Sequence, residues 1–194
     1  MNEILKRKEI IEWKENGKPN TLPSHLKHQI ILNYAKKFSL YTLIETGTYY
    51  GDTIHATKNH FKSIYSIEIS KKLFNIASKK FSPYNFIHII HGDSSEKLKY
   101  VLSKTYDRCL FWLDGHYSGG ITEKGKKETP IIEELKQILN HPIKNHVILI
   151  DDARLFGKSK NYPTLPEIKK IFLDNNSAWK INMKNDIIRI YQKI

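Results

Sequence analysis

The chain has a single cysteine, Cys109, among 194 residues, and it lies inside an apolar run. Disulfide frameworks and cysteine-rich zinc sites are therefore excluded. Long hydrophobic runs are missing too, since none approaches the ~18 apolar residues of a membrane span. The opening Met1-Asn-Glu-Ile-Leu-Lys-Arg-Lys lacks the apolar core of a signal peptide. These absences point to the cytoplasm. Arginine is scarce, 4 residues against 28 lysines. Arg is the usual residue for forks to phosphates and bases. The net charge of +12 thus reads as solvating surface with some attraction for anionic small molecules, and nucleic acid is not the expected partner. Internal repeats and low-complexity linkers are absent.

What is present is ordinary for a globular protein: 40% hydrophobic and 27% charged residues. The length suits one domain spanning 1–194, with an N-terminal helical segment over 1–40 and a core over 41–194. The spacing predicts a first helix over 3–15, with Ile4, Leu5, Ile10, Ile11 and Trp13 apolar, broken by Asn16-Gly17-Lys18-Pro19-Asn20. Ser24 is a candidate cap for a second helix over 25–38, where Leu26, Ile30, Ile31, Tyr34 and Phe38 recur at helical spacing. Further helices are expected near 52–60, 71–80, 94–104, 130–141 and 165–176.

Five short apolar runs alternate with these helices, and each ends in an acid. They are Thr42-Leu-Ile-Glu45, Ile64-Tyr-Ser-Ile-Glu68, Ile87 to Asp93, Cys109-Leu-Phe-Trp-Leu-Asp114 and Val147-Ile-Leu-Ile-Asp151-Asp152. Continuous apolar runs read as strands covered on both faces. Trp179 to Lys184, the pair Asn185-Asp186, and Ile187 to Tyr191 read as a terminal hairpin. The expected fold is α/β: a doubly wound, Rossmann-like, seven-stranded sheet, mostly parallel, with a C-terminal antiparallel hairpin strand. In such a sheet ligands bind beyond the carboxyl ends of the strands. The spacing therefore gathers Glu45, Glu68, Asp93, Asp114, Asp151 and Asp152 along one rim.

The stretch Glu45-Thr46-Gly47-Thr48-Tyr-Tyr-Gly51-Asp-Thr53 joins a strand to a helix. Gly47 and Gly51 permit positive φ and close backbone approach. The stretch has no third glycine and no lysine, so a pyrophosphate reader is disfavoured. Glu68, 23 residues after Glu45, is placed either to accept hydrogen bonds from both ribose hydroxyls of a nucleoside or to cap a helix. Asp93 and Ser94 are placed to meet an adenine amine, to cap the next helix, or both. These acidic strand ends suit S-adenosylmethionine, whose sulfonium and ammonium are cationic. Asp114, Asp151 and Asp152 would form an oxygen-rich pocket of the kind Mg²⁺ accepts. The competing reading has Asp151 capping a turn and Asp152 facing solvent. His116 lies in a glycine-rich loop two residues past Asp114 and is a candidate general base or metal ligand. His88 and His91 read as structural.

At these residues the chain resembles bacterial class I S-adenosylmethionine-dependent methyltransferases. The resemblance covers roughly 40–192 and rests on Ile44 to Thr53, Ile64 to Glu68, Phe111 to Gly120, Thr129 to Leu135 and His146 to Arg154. More distantly the chain is similar to macrocin-type sugar O-methyltransferases, which are Mg²⁺-dependent. The resemblance implies a cofactor loop at Gly47 and Gly51, a ribose acid at Glu68, and metal ligands at Asp114, Asp151 and Asp152. Two departures stand out: His116 replaces a second aspartate, and Ala153-Arg154 replaces an aromatic residue after the paired aspartates. The expected activity is O-methylation of a hydroxylated small molecule, a sugar or sugar-containing metabolite of surface polysaccharide synthesis. In that scheme Mg²⁺ lowers the pKa of an acceptor hydroxyl, and Asp114 and His116 are the catalytic pair. Glu45, Thr46, Gly47, Thr48, Gly51, Thr53, Glu68, Asp93, Ser94 and Asp114 would hold the cofactor. Arg154, with Lys158 and Lys160, is placed to hold a phosphate on the acceptor, and the stretch from Gly119 to Lys127 to form a lid. A metal-dependent nucleotide-sugar glycosyltransferase and a non-catalytic RNA-binding module are the alternatives.

Overall fold

Strands form where β-branched and aromatic residues run unbroken, and helices form where the apolar period changes to 3.6. In a computed structural model, which describes residues 3–17, 21–115, 129–158, 161–173 and 178–192, these signals resolve into fourteen helices and strands. Two helices come first, α1 (Glu3–Glu15) and α2 (Ser24–Phe38). Then β1 (Thr42–Thr46), α3 (Asp52–Thr57), β2 (Ser63–Glu68), α4 (Lys71–Phe81), β3 (Ile87–His91), α5 (Ser94–Leu102) and β4 (Cys109–Leu113) alternate. They are followed by α6 (Ile131–Asn140), β5 (Val147–Ile150), α7 (Leu165–Leu173) and the hairpin β6 (Trp179–Lys184) and β7 (Ile187–Gln192). A short 3₁₀ turn, Ala153–Leu155, leaves β5.

The sheet has seven strands in the order β3-β2-β1-β4-β5-β7-β6. The first five are mutually parallel, and β7 runs antiparallel to both β5 and β6. Asn185 and Asp186, both at positive φ (52° and 58°), close the hairpin, as a two-residue turn matched to strand twist requires. The order reverses between β1 and β4, so the crevice of the sheet opens beyond their carboxyl ends.

Alternate residues of each central strand enter two apolar layers. Leu43, Leu110, Trp112 and Leu149 pack under α2, α3 and α4 with Ile31, Ala35, Ile54 and Ala77. Ile44, Phe111, Leu113, Ile148 and Ile150 pack under α5, α6 and α7 with Leu98, Leu135 and Ile168. Two local expectations need correction. The β3 run was expected to be covered on both faces, but β3 is an edge strand on which only Ile87 is buried. Its His88 is exposed and stacks on Tyr65, and His91 lies against Phe74. Ser24 is the first residue of α2 rather than its cap: Pro23 occupies that place, and no side chain caps the helix.

At the opposite end of the sheet from the crevice, two buried histidines form a fixed chain. The Cys109 N–H donates to His146 Nδ1 at 3.0 Å, His146 Nε2 meets His141 Nδ1 at 3.0 Å, and His141 Nε2 meets the Leu102 carbonyl at 3.1 Å. One arrangement satisfies all three contacts: both rings neutral, both protonated at Nε2. Burial, with His141 adding to it, pushes His146 down to about 4. The unfolded chain binds this proton near pH ~6.5 and the native chain does not. His146 therefore contributes stability that is complete above that pH and lost as pH falls toward about 4, on the order of 3 kcal/mol. Other buried acids titrate in the same window, so the quantity to read is a difference. Between pH 7 and pH 5 in urea unfolding, wild type is expected to lose more stability than a His146→Gln variant. Equal losses would show that His146 is not held neutral.

Candidate active site at the carboxyl rim of the sheet

The turn after β1 is built around buried polar contacts. Glu45 is 1% exposed and accepts a 2.6 Å hydrogen bond from Ser66 Oγ, which in turn meets Thr48 Oγ1 at 2.6 Å. The Thr53 hydroxyl also bonds this carboxyl. Burial raises Glu45 to about 8, against the pull of Ser66 and Thr53. At neutral pH it therefore largely keeps its proton, so the rim carries less negative charge than six acids would suggest. Gly47 sits at φ +85°, where an added Cβ would stand 2.5 Å from the Asp114 carbonyl oxygen. Its freedom serves the close approach of the β1 turn to the end of β4. Gly51, at φ +73°, passes the ring of Phe81 as closely and starts α3.

Glu68, at the end of β2, is 4% exposed. Its Oε2 accepts from the Tyr49 N–H at 2.8 Å and its Oε1 from the Ser70 N–H at 2.9 Å. Tyr49 is held at φ +51°, costly for a non-glycine residue, so this carboxylate fixes the turn above β1. Each of its oxygens retains a second acceptor position for a ligand hydroxyl. Asp93 caps α5, with Oδ1 accepting from the Ser95 N–H at 2.9 Å and from Ser95 Oγ at 2.7 Å. Ser94 is buried, and its hydroxyl bonds Glu134 of α6. Glu134 is 1% exposed, also lies against Thr46, and is raised to about 7 by burial.

At the other half of the rim, Asp151 is wholly buried, and its Oδ2 is ion-paired with Lys27 Nζ from α2. Burial disfavours the Lys27 ammonium, but Asp151, Asp114 and Asp152 outweigh that and raise its pKa. Burial and then the charge of Asp151 push Asp114 well above the usual carboxylate range. Asp152 sits at φ +54° and accepts from Arg154 at 2.8 Å and from Thr21 Oγ1 at 3.3 Å. Arg154 also pairs with Asp186 in the hairpin turn, through both its backbone N–H and its guanidinium. It is thus engaged by two carboxylates and does not stand free for an acceptor phosphate. Lys158 is exposed, whereas His116, Lys160 and the stretch from Gly119 to Lys127 lie outside the described residues.

The implied Mg²⁺ can be judged against this donor set. Asp151, Asp152 and Asp186 bring carboxylate oxygens within 4.8 Å of one another, and Asp114 is not in that group. Hard oxygen donors suit Mg²⁺. Each of the three, however, already meets a side-chain cation, Lys27 on Asp151 and Arg154 on Asp152 and Asp186. The arrangement does not fit a further dication.

The fold thus brings the rim acids together at the crevice and adds three residues that the sequence did not single out. Glu134 falls between Ile131, Leu135 and Ile138 on the buried stripe of α6, and an acid on that stripe was a readable signal. Lys27 stands one turn before Ile31 and two before Ala35, again on the buried stripe. Asp186 gave no signal beyond its turn.

Solved structures share this architecture. The O-methyltransferase TomG from Streptomyces achromogenes, involved in tomaymycin synthesis and complexed with SAM, superposes with a TM-score of 0.63 at 13% identity, over 99% of this chain and 90% of that one. The SAH-bound methyltransferase PaMTH1 of Podospora anserina gives 0.61 at 17% identity, over 95% and 87%. A putative caffeoyl-CoA O-methyltransferase from Staphylococcus aureus gives 0.59 at 16% identity, over 100% and 93%. No protein-family model matches the chain, and no curated protein matches it. At these identities the likeness is one of fold: the chain has the Rossmann-like methyltransferase fold, with its C-terminal antiparallel hairpin.

Proposed function

We propose that the protein is an S-adenosylmethionine-dependent O-methyltransferase acting in the cytoplasm on a hydroxylated small molecule, a sugar or sugar-containing metabolite of surface polysaccharide synthesis. The observation that carries this reading is the pairing of the Gly47–Gly51 turn with the buried Glu68 carboxylate, beside the point where the strand order reverses. Glu68 accepts the ribose hydroxyls with its two remaining acceptor positions. Asp93 and Ser94, on the adjacent strand end, face the base. The backbone of Thr46, Gly47 and Thr48 lines the amino-acid end of the cofactor, with Glu45 and Thr53 holding the turn from beneath. Asp114 stands between the cofactor and the acceptor.

Methyl transfer needs the acceptor oxygen, the methyl carbon and the sulfonium sulfur in line, and most of the acceleration comes from holding them so. His116, two residues beyond Asp114, takes the hydroxyl proton. The wall formed by Asp151, Asp152 and Asp114 orients the acceptor's hydroxyls, a polar lining suited to a sugar. No step is assigned to Mg²⁺, because Lys27 and Arg154 already meet the carboxylates that would bind it. The test is transfer of a tritiated methyl group from S-adenosylmethionine to a panel of sugars, nucleotide sugars and phenols. Label on a hydroxyl of a sugar-containing acceptor is expected. Label confined to phenols would remove the sugar, and none on any hydroxyl would remove O-methylation.

A further inference from the structure

Lys27 is the one lysine placed on the buried stripe of α2, one turn before the fully buried Ile31. It belongs to the N-terminal helices, which precede the Rossmann-like core and carry none of the rim acids. The packing of Ile31, Ala35 and Phe38 against the sheet fixes the helix. That in turn fixes where the lysine stem can go. The stem crosses the end of the sheet and delivers the ammonium to the Asp151 carboxylate, which has no solvent exposure.

Two further facts make this more than a neutralised buried charge. Asp151 Oδ1 has no hydrogen-bond partner among the described residues, although it is buried and the Asp152 amide lies beside the carboxylate. A buried carboxylate oxygen without a donor is costly, and a ligand hydroxyl would satisfy it. Lys27 has three N–H donors, and Asp151 is its one hydrogen-bond partner among the described residues. Its side chain keeps 14% exposure. The pair therefore presents a donor and an acceptor side by side, next to Asp114 and Asp152.

A divalent metal in this position would bring positive charge to the acceptor oxygens. A fixed ammonium supplies the same sign of charge without a coordination shell. We propose that Lys27 is the resident cation of the acceptor site: held by Asp151, its ammonium takes the place of a divalent metal and hydrogen-bonds the acceptor oxygen during methyl transfer. This rests on the methyltransferase reading for its chemistry. The acceptor oxygen's lone pair forms the new O–CH₃ bond as the C–S bond breaks. Sulfur keeps that electron pair and becomes a neutral thioether, and the hydroxyl proton passes to the base assigned above. Lys27 stays protonated throughout.

The test reads metal binding directly, so it stands apart from turnover. Mn²⁺ is titrated into the full chain and the free-ion signal followed by electron paramagnetic resonance. Wild type and Lys27→Arg are expected to leave the signal at its free-ion amplitude. Lys27→Met, which removes the charge and keeps the bulk, is expected to gain one Mn²⁺ site at least tenfold tighter than any wild-type binding, and Asp151→Asn added to it should abolish that site. Stoichiometric Mn²⁺ binding by wild type overturns the proposal whether or not any variant folds. So does a folded Lys27→Met variant that gains no site. Binding of S-adenosylhomocysteine by the same samples is read in parallel: its loss in wild type would count against the methyltransferase reading, and its retention leaves the Mn²⁺ result to decide the role of Lys27.

Discussion

Gly47→Ala is expected to destabilise the protein by about 3–5 kcal/mol, enough to lower the melting temperature by roughly 10 °C or more. Two costs combine. The backbone at Gly47 sits at φ +85°, which an L side chain rarely adopts. A Cβ there would also stand 2.5 Å from the Asp114 carbonyl oxygen and 2.9 Å from its carbon. Those atoms are backbone, and Asp114 N–H is itself bonded to the Thr46 carbonyl at 3.0 Å, so neither partner can swing aside. Gly17 is the control. Its φ is +69° but nothing among the described residues lies within 4 Å, so Gly17→Ala should cost only the conformational part, about 1–2 kcal/mol. Thermal melts of the two variants separate the terms. Equal, small losses would mean that the turn above β1 is free to rearrange and does not hold a fixed shape for a ligand.

Glu68→Ala is expected to weaken S-adenosylhomocysteine binding about 100-fold. Two hydrogen bonds from ribose hydroxyls to a buried carboxylate are worth roughly 1.5 kcal/mol each or more, and ~3 kcal/mol is about two decades in Kd. The substitution also frees the Tyr49 and Ser70 amides, and without its anchor Tyr49 can leave its unfavourable φ. Glu68→Gln tests the charge with the shape kept, and a loss of about tenfold is expected there. Calorimetric titration of both variants against wild type measures the effect. Unchanged affinity in Glu68→Ala would move the nucleoside away from β2.

Much of the fold was legible because its signals are local. Unbroken apolar runs marked β1, β2, β4 and β5, and the pair Asn185-Asp186 marked the hairpin. The edge position of β3 was not legible, since the run from Ile87 to Ile90 is as apolar as a central strand and its exposure depends on which strand pairs beside it. The geometry of the rim around β1 and β2 was legible for a similar reason. Glu45, Gly47, Gly51 and Glu68 lie in one strand-turn-helix-strand unit, where spacing fixes their neighbours.

The rim beyond β4 and β5 was legible only in part. Asp151 and Asp152 stood out as a pair, but their partners come from far along the chain. Lys27 is 124 residues from Asp151 and Asp186 is 32 from Arg154. No local pattern joins such residues. Lys27 and Glu134 did break the apolar stripes of their helices, and a charge on a buried stripe must find a counter-charge or a hydrogen-bond partner. That rule would have pointed to both. It also changes the sense of the acidic rim: a row of bare carboxylates becomes one largely protonated at Glu45, pushed upward by burial at Asp114, and partly matched by Lys27 and Arg154.

The most direct measurement is a calorimetric titration of the full chain with S-adenosylhomocysteine in a buffer containing a chelator. One molecule per chain is expected to bind with micromolar or tighter affinity, and the chelator should make no difference. No heat and no saturation would contradict the assignment of this rim to an S-adenosyl cofactor.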